Sequence, residues 1–458
     1  MRKLTMLFAL ASMVVACSGA PKEDYALVNG SISNQADNKL VITGNEFNHT
    51  IMINRDGTFS DTLKIAASGY YTLIYGRENT QLFINNGDNL SISLDARNFA
   101  SSISFDGEGA QANNYLASKL DANRKATADA YSFYGLEEQA YISTLDALKK
   151  QHLAALESVS SDSDFTDLEK KNLSYDYFMR LNAYERMHGY YAKKQGFKVS
   201  EGFIPEELKN MTFDNQEDYQ KFNSYKSLAM DRYMGVIVES LGEDYQSAAP
   251  DDFKVLEDVK IPALKNEIIG QIGSVLVSPG NPNMIALYEF FMANSTDVDF
   301  KQKLTVKYDQ NKSLVRGMPS PQFTDYENHK GGTMSLTDLK GKYVYIDVWA
   351  TWCGPCKREI PFLKEIETKY HGKNIEFVSA SIDRMQDHEA WVQMVKDEQL
   401  LGHQLFADSD WQSAFVKGYA IEGIPRFILV DPEGNIVSAD APRPSNPKLI
   451  DLFNELKI

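Results

Sequence analysis

Apolar and polar positions alternate with a period of two from Tyr25 to about Phe105, and turn-forming pairs punctuate the pattern. Leu40-Val41-Ile42-Thr43, Thr50-Ile51-Met52-Ile53 and Tyr70-Tyr71-Thr72-Leu73-Ile74-Tyr75 are strand-like, with Asp56-Gly57 and Asn86-Gly87 as turns between such runs. Short strands at this spacing predict an N-terminal antiparallel β-sandwich-like domain over residues 25–110. Around Gly107-Glu108-Gly109 the period changes. Tyr141, Leu145, Leu148, His152 and Leu156 fall on one face of a helix, and Leu173, Tyr177, Leu181 and Tyr184 repeat the spacing. Further helices are expected around 216–240 and 260–295, so residues 111–312 form an α-helical region. His152 lies on the buried stripe, where a core histidine is a better reading than a ligand. From about residue 313 strands and helices alternate: a strand from Tyr343 to Ala350, a helix from Arg358 to Tyr370, a strand from Ile375 to Asp383 and a helix from Glu389 to Glu398. Two last strands, Phe427 to Val430 and Ile436 to Ala439, flank the turn Asp431-Pro432-Glu433-Gly434-Asn435, and a closing helix starts near Pro447. This alternation ending in a hairpin predicts an α/β region with a mixed sheet over 313–458.

The first residues change the picture of where the chain resides. Arg2 and Lys3 precede a short apolar run, Leu4 to Val15, too short to span a bilayer comfortably and built like a secretion signal. It ends in Val14-Val15-Ala16-Cys17, which resembles the lipobox of bacterial lipoproteins. That resemblance implies a signal peptide over residues 1–16, lipid on Cys17 and a tether over 17–24, with the protein held at the bacterial cell envelope and facing the periplasm. Whether the inner or the outer membrane carries it stays open. The chain has 458 residues, enough for several domains. Its 47 basic and 63 acidic residues give a formal net charge of −16, which argues against nucleic acid as a partner because no basic excess exists to neutralise phosphates.

Three cysteines are present. With Cys17 assigned to lipid, only Cys353 and Cys356 remain, so no structural disulfide framework is expected. The segment Asp347-Val348-Trp349-Ala350-Thr351-Trp352-Cys353-Gly354-Pro355-Cys356 places this pair where a strand passes into a helix. A sulfur at a helix N-terminus meets unpaired N–H groups and the positive end of the dipole, which stabilise a thiolate. Cys353 is therefore the expected nucleophile, and Cys356, one turn inward, can resolve a mixed disulfide. Gly354 and Pro355 keep the turn tight. Asp347 interrupts an otherwise apolar strand, where a carboxylate is costly unless hydrogen-bonded or used. It is either a proton acceptor for Cys356, through water, or a strand-end carboxylate pointing to solvent, and its proximity to Cys353 favours the first. The Ile424–Pro425 bond is either trans, ending a loop, or cis, holding the Ile424 backbone beside the cysteines to pair with an extended substrate.

Trp349-Ala350-Thr351-Trp352-Cys353-Gly354-Pro355-Cys356-Lys357 and Gly423-Ile424-Pro425 resemble the thioredoxin superfamily. Met318 to Phe323 and the long stretch between the two motifs resemble its TlpA/ResA-like exported branch. The resemblance covers about 315–458 and implies a thioredoxin-like fold, a nucleophilic Cys353, a resolving Cys356 forming a redox-active disulfide with it, a supporting Asp347 and a cis-Pro425. Trp352, Gly354, Pro355 and Ile424 are the expected substrate-binding neighbours. Two departures stand out. The strand Ile375 to Asp383 has no lysine, so the carboxylate–lysine partnership of plain thioredoxin is missing. Arg426 follows Pro425 where threonine is common, and a solvated loop charge is a plainer reading than a preference for acidic substrates.

The expected function is a membrane-anchored protein-disulfide reductase of exported proteins, fed by a membrane electron-donor thiol protein. Gly-Pro between the cysteines is the thioredoxin dipeptide, and thioredoxin is strongly reducing at about −270 mV. The alternative is a binding or assembly lipoprotein in which residues 25–312 bind a partner and the redox module is accessory. A peroxiredoxin pattern needs proline at 346 and threonine at 350, where Ile346 and Ala350 stand. No cofactor or metal is expected: the seven histidines are scattered, and His388-Glu389 lacks a second histidine at 392.

Overall fold

A computed structural model describes residues 24–44, 47–159, 163–242 and 245–458. The expected signal peptide and the lipidation site Cys17 lie outside the described residues. The chain divides into two compact units, Met1–Ala229 and Met230–Ile458. No helix among the described residues is long and apolar enough to cross a membrane.

The first unit begins with eight strands: β1 (Ala26–Ser33), β2 (Lys39–Gly44), β3 (Phe47–Met52), β4 (Thr58–Leu63), β5 (Gly69–Tyr75), β6 (Glu78–Ile84), β7 (Asn89–Asp95) and β8 (Ser104–Gly107). In β5, buried and half-buried residues alternate strictly, as a strand with one face on a core requires. The strands form two four-stranded sheets, ordered β4-β1-β7-β8 and β3-β2-β5-β6. Val28, Ile92, Leu40 and Leu73, drawn from both sheets, share one core, so the sheets face each other as a sandwich. One pairing departs from the antiparallel expectation, because β1 runs parallel to β7. Period-two alternation reports which face is buried but carries no information on partner direction. Gly30 pairs with Ile92 in this parallel ladder, and a Cβ there would lie 1.9 Å from the Ile92 carbonyl oxygen.

Longer helices follow: α1 (Ala110–Ala126), α2 (Glu138–Leu156) and α3 (Ser163–Tyr191) in the first unit, and α4 (Asn223–Leu241), which contains the boundary between units. On α2, Tyr141, Leu145, His152 and Leu156 are buried, whereas Leu148 is half-buried. His152 is a core histidine: its Nε2 lies 3.1 Å from Asn123 Oδ1, and burial lowers its pKa to about 4. On α3 the buried stripe includes Glu169, Asn172 and His188 beside Leu173, Leu181 and Tyr184, while Tyr177 is only half-buried.

The second unit contains α5 (Pro262–Leu276), α6 (Met284–Asn294) and α7 (Val298–Asn311), then a seven-stranded mixed sheet. Its elements are β9 (Tyr326–Asn328), β10 (Thr333–Met334), β11 (Tyr343–Trp349), α8 (Gly354–Lys369), β12 (Ile375–Ser381), α9 (His388–Asp397), β13 (His403–Phe406), β14 (Arg426–Val430), β15 (Ile436–Ser438) and α10 (Lys448–Glu455). The strand order is β10-β9-β13-β12-β11-β14-β15, with β11, β12 and β13 parallel and the other pairings antiparallel. Val344, Ile346 and Val348 of β11 point into a core shared with Trp391 and Val395 of α9. Tyr345 points the other way, into a core with Leu363 and Ile366 of α8 and Leu449 and Phe453 of α10. The sheet is thus covered on both faces, which is why β11 and β14 are apolar but for Asp347 and Arg426.

Candidate active site

Strand β11 delivers the chain to the cysteine pair, and α8 starts a full turn earlier than the apolar spacing alone predicts. Cys353 is the N-cap residue, and Pro355 sits in the first turn, where its missing N–H leaves no bond unmade. Cys353 and Cys356 form a disulfide with their Cα atoms 5.3 Å apart. The Cys353 sulfur accepts a hydrogen bond from the Cys356 backbone N–H at 3.1 Å. That N–H is one of the donors left free at any helix N-terminus, so the fold supplies thiolate stabilisation without a cationic side chain.

Both cysteines are 4% exposed, whereas Trp352 beside them is 55% exposed. Gly354 and Pro355 are exposed as well. The sulfurs are therefore reached across a rim made by the residues expected to meet substrate. Strand β14 pairs antiparallel with β11 and the ladder ends at Val348–Arg426, so Pro425 lies at the strand end from which the cysteine segment departs. The Ile424–Pro425 peptide is cis, and Ile424 packs against the core that includes both cysteines.

Asp347 does not point to solvent. It is 8% exposed, sits in register with Ser379 and Phe427, and shares the face of Tyr345, turned towards α8. Its Oδ1 has no hydrogen-bond partner among the described residues. Burial pushes its pKa well above the usual carboxylate range, and the nearby carboxylates Glu367 and Glu359 push it the same way.

Those two glutamates escaped the sequence reading. Both lie on α8 and are as buried as Asp347, at 7% for Glu367 and 8% for Glu359. Glu359 accepts hydrogen bonds from the Ser445 backbone N–H (3.0 Å) and hydroxyl (2.9 Å). Burial raises the Glu367 pKa to about 7, against a smaller opposing pull from Lys364 and Lys330. A signal for them existed: Cys356, Glu359, Leu363 and Glu367 recur at helical spacing, which places two acids on the apolar stripe.

Arg426 also corrects the expectation. It is the first residue of β14 rather than a solvated loop charge, and its side chain is 20% exposed. Its Nη1 lies 3.5 Å from Asp440 Oδ1 and 3.4 Å from the Ala439 carbonyl oxygen. Trp349 is buried with its indole N–H unpaired among the described residues, so the two tryptophans flanking the motif lie in opposite environments. No group of three or more potential metal ligands is found among the described residues.

Residues 316–452 match the Redoxin family model. The thiol-disulfide oxidoreductase ResA of Bacillus thuringiensis is 27% identical over 175 residues, which is 38% of this chain and 87% of that protein. A solution structure from Bacteroides vulgatus, described by inference as a thiol-disulfide oxidoreductase, is 54% identical and covers 31% of this chain and 90% of its own, with a TM-score of 0.28. The thioredoxin domain of a thiol-disulfide oxidoreductase from the same organism is 31% identical, covers 31% of this chain and 99% of its own, and has a TM-score of 0.29.

Proposed function

Since the chain is a TlpA/ResA-like member of the thioredoxin superfamily, and a protein-disulfide reductase by class, we propose that it reduces disulfides of exported proteins through Cys353 and Cys356. The observation that carries this reading is the Cys353 sulfur at the N-terminus of α8, 3.1 Å from the Cys356 N–H and bonded to Cys356. In the reduced enzyme the Cys353 thiolate attacks one sulfur of a substrate disulfide. A mixed disulfide forms and the other substrate sulfur leaves as a thiolate. Cys356, losing its proton to Asp347 through water, then attacks the Cys353 sulfur, which restores the Cys353–Cys356 bond and releases the substrate's second thiol. Two electrons pass to the substrate, and a membrane thiol protein returns them to the enzyme.

Asp347 suits its part because burial and the neighbouring carboxylates Glu367 and Glu359 raise its proton affinity. Trp352, Gly354 and Pro355 present the rim against which the substrate lies, and the Ile424 backbone pairs with an extended segment. The protein is held at the cell envelope by lipid on Cys17, with a β-rich domain over 25–110 and a helical region over 111–312 ahead of the redox domain over 313–458.

The test is a redox titration of residues 18–458 in graded glutathione or dithiothreitol buffers, followed by the fluorescence of Trp349 and Trp352. A midpoint at or below about −230 mV is expected, and a midpoint near about −120 mV would make the protein an oxidant and overturn the reductase reading. A Cys356→Ser variant is expected to trap mixed disulfides. A scaffold whose partners bind through residues 25–312 would capture the same proteins with both cysteines replaced.

A further inference from the structure

We infer that Asp383 is a positioning residue for the redox loop, holding Thr351 and so fixing Cys353 over the N-terminus of α8. The inference rests on the functional reading above and concerns how the nucleophile is kept in place once its disulfide opens.

Four residues, Ala350 to Cys353, bridge the end of β11 and the start of α8. Their backbone is tied at one point by the Cys353 N–H, which donates to the Ala350 carbonyl at 3.0 Å. The other tie comes from outside the loop. Asp383, just past the end of β12, accepts the Thr351 backbone N–H on Oδ2 at 2.9 Å and on Oδ1 at 3.2 Å. It also accepts the Thr351 hydroxyl on Oδ1 at 2.8 Å and the Ser381 hydroxyl on Oδ2 at 2.7 Å. All three residues are buried: Asp383 is 1% exposed, Ser381 0% and Thr351 9%. No cation is paired with Asp383 among the described residues. A carboxylate taken out of water without a counter-ion is tolerable only when donors surround it, so these bonds hold carboxylate and loop together. The β12 end is itself anchored, since the Ile382 N–H donates to the Trp349 carbonyl at 2.9 Å and the Ala407 N–H to that of Ser381 at 2.8 Å.

The consequence appears on reduction. With the disulfide closed, a covalent bond to Cys356 holds Cys353. With it open, that restraint is gone, and thiolate stabilisation depends on keeping the sulfur near the Cys356 N–H. A site group held by packing and outer hydrogen bonds keeps its geometry through the reaction, and one left free does not. Asp383 therefore raises the acidity of the Cys353 thiol by placement, although its own negative charge acts in the opposite sense.

That opposition supplies the test. The acidity of the Cys353 thiol is measured in the reduced full chain from the ultraviolet absorbance of the thiolate against pH. The equilibrium with glutathione and the thermal stability are recorded for the same samples. In Asp383→Ala the acidity constant is expected to fall about tenfold. The dithiol–disulfide equilibrium moves towards the disulfide by up to about tenfold, which is about 30 mV. Asp383→Asn, which keeps one acceptor and the volume, falls less, and Thr351→Val, which removes only the hydroxyl bond, falls about threefold. A folded Asp383→Ala with unchanged acidity overturns the inference. So does a rise in acidity in both Asp383 variants, which would mean the residue acts as a charge alone. If Asp383→Ala does not fold, an unchanged Thr351→Val overturns it instead. A merely structural Asp383 would lower thermal stability and leave the acidity where it was. A wild type that ignores protein disulfides, yet whose variants shift as stated, would sink the functional reading and leave this inference standing.

Discussion

Glu169 in the N-terminal unit is 0% exposed and accepts on Oε1 from Lys119 Nζ at 2.6 Å and the Tyr115 hydroxyl at 3.3 Å, and on Oε2 from Asn172 Nδ2 at 3.0 Å and the Tyr70 hydroxyl. Asp347 in the C-terminal unit is also buried, but it has two further carboxylates as its electrostatic company and one oxygen without a partner among the described residues. The first arrangement compensates a buried charge and the second refuses to. A carboxylate enclosed by a cation and hydrogen-bond donors holds structure. One whose proton affinity is raised by burial and by like charges nearby is suited to accept a proton, at the expense of local stability. The contrast sets a structural carboxylate in the first region against the carboxylate proposed as proton acceptor in the second, and it can be broken at either end.

The largest effect is expected in the first region. Lys119→Ala leaves Glu169 buried without its cation, and removing one partner of a buried pair destabilises by about 3–5 kcal/mol. Denaturant unfolding of the full chain should show that loss in one transition. Thiol–disulfide exchange, measured in the absence of denaturant, should stay at the wild-type rate. A loss below about 1 kcal/mol would mean that the network around Glu169 is not what holds this core.

The next effect has the opposite sign. Glu367 has an ordinary pKa of 4.5, raised in the folded protein to about 7. The unfolded chain therefore ionises this group first. Its contribution to stability is fully present below about pH 4.5 and is lost as pH rises through about 7, a difference of at most about 3 kcal/mol. Glu367→Gln should accordingly be more stable than wild type at pH 8 and lose that advantage at pH 4. Melting curves at the two pH values decide it, and an advantage that does not depend on pH would remove Glu367 from the uncompensated set.

Asp347→Asn sharpens the chemical side. Taking away a proton acceptor of this kind slows exchange by about a hundredfold, the lower end for general acid–base groups. The loss should fall on resolution of the mixed disulfide rather than on its formation, so mixed disulfides persist longer in the variant. Stability at pH 8 should not drop, because the ionised form that burial penalises is gone. Equal slowing of both steps would point to a general disturbance of β11 instead.

How much of this contrast the chain discloses in advance follows from what each signal encodes. Cys353 and Cys356 were legible because a strand–helix junction and a two-residue gap specify chemistry together, and Asp347 because a lone acid in an apolar strand must be explained. Glu359 and Glu367 carry a helical spacing that also fits an exposed acidic face, so only packing under α8 discloses them. The Lys119–Glu169 pair joins α1 to α3 across 50 positions, and no local period reports such a partnership. The parallel ladder of β1 with β7 escapes for the same reason, and the four-residue β13 is too short for its alternation to register. Asp383 lies just past the end of β12 and in sequence reads as well as a turn residue. Its four bonds to Thr351 and Ser381 exist only once β11 and β12 lie side by side.

The smallest effect concerns a carboxylate between the two extremes. Asp440 has a cation in Arg426 at 3.5 Å, but its side chain is 39% exposed. Burial raises its pKa, and Arg426 and then Arg443 pull it back. If compensation and exposure together set the weight of such a pair, Arg426→Ala should destabilise by no more than about 1 kcal/mol at pH 7, because solvent screens a pair this open. The effect should fade as pH falls and Asp440 takes up its proton, since the pair attracts only while the carboxylate is charged. Arg426 also follows Pro425 directly, so the variant separates two roles. A change in exchange rate with stability intact would mean that the guanidinium acts on the substrate, whereas a small, pH-dependent loss of stability alone confines it to Asp440.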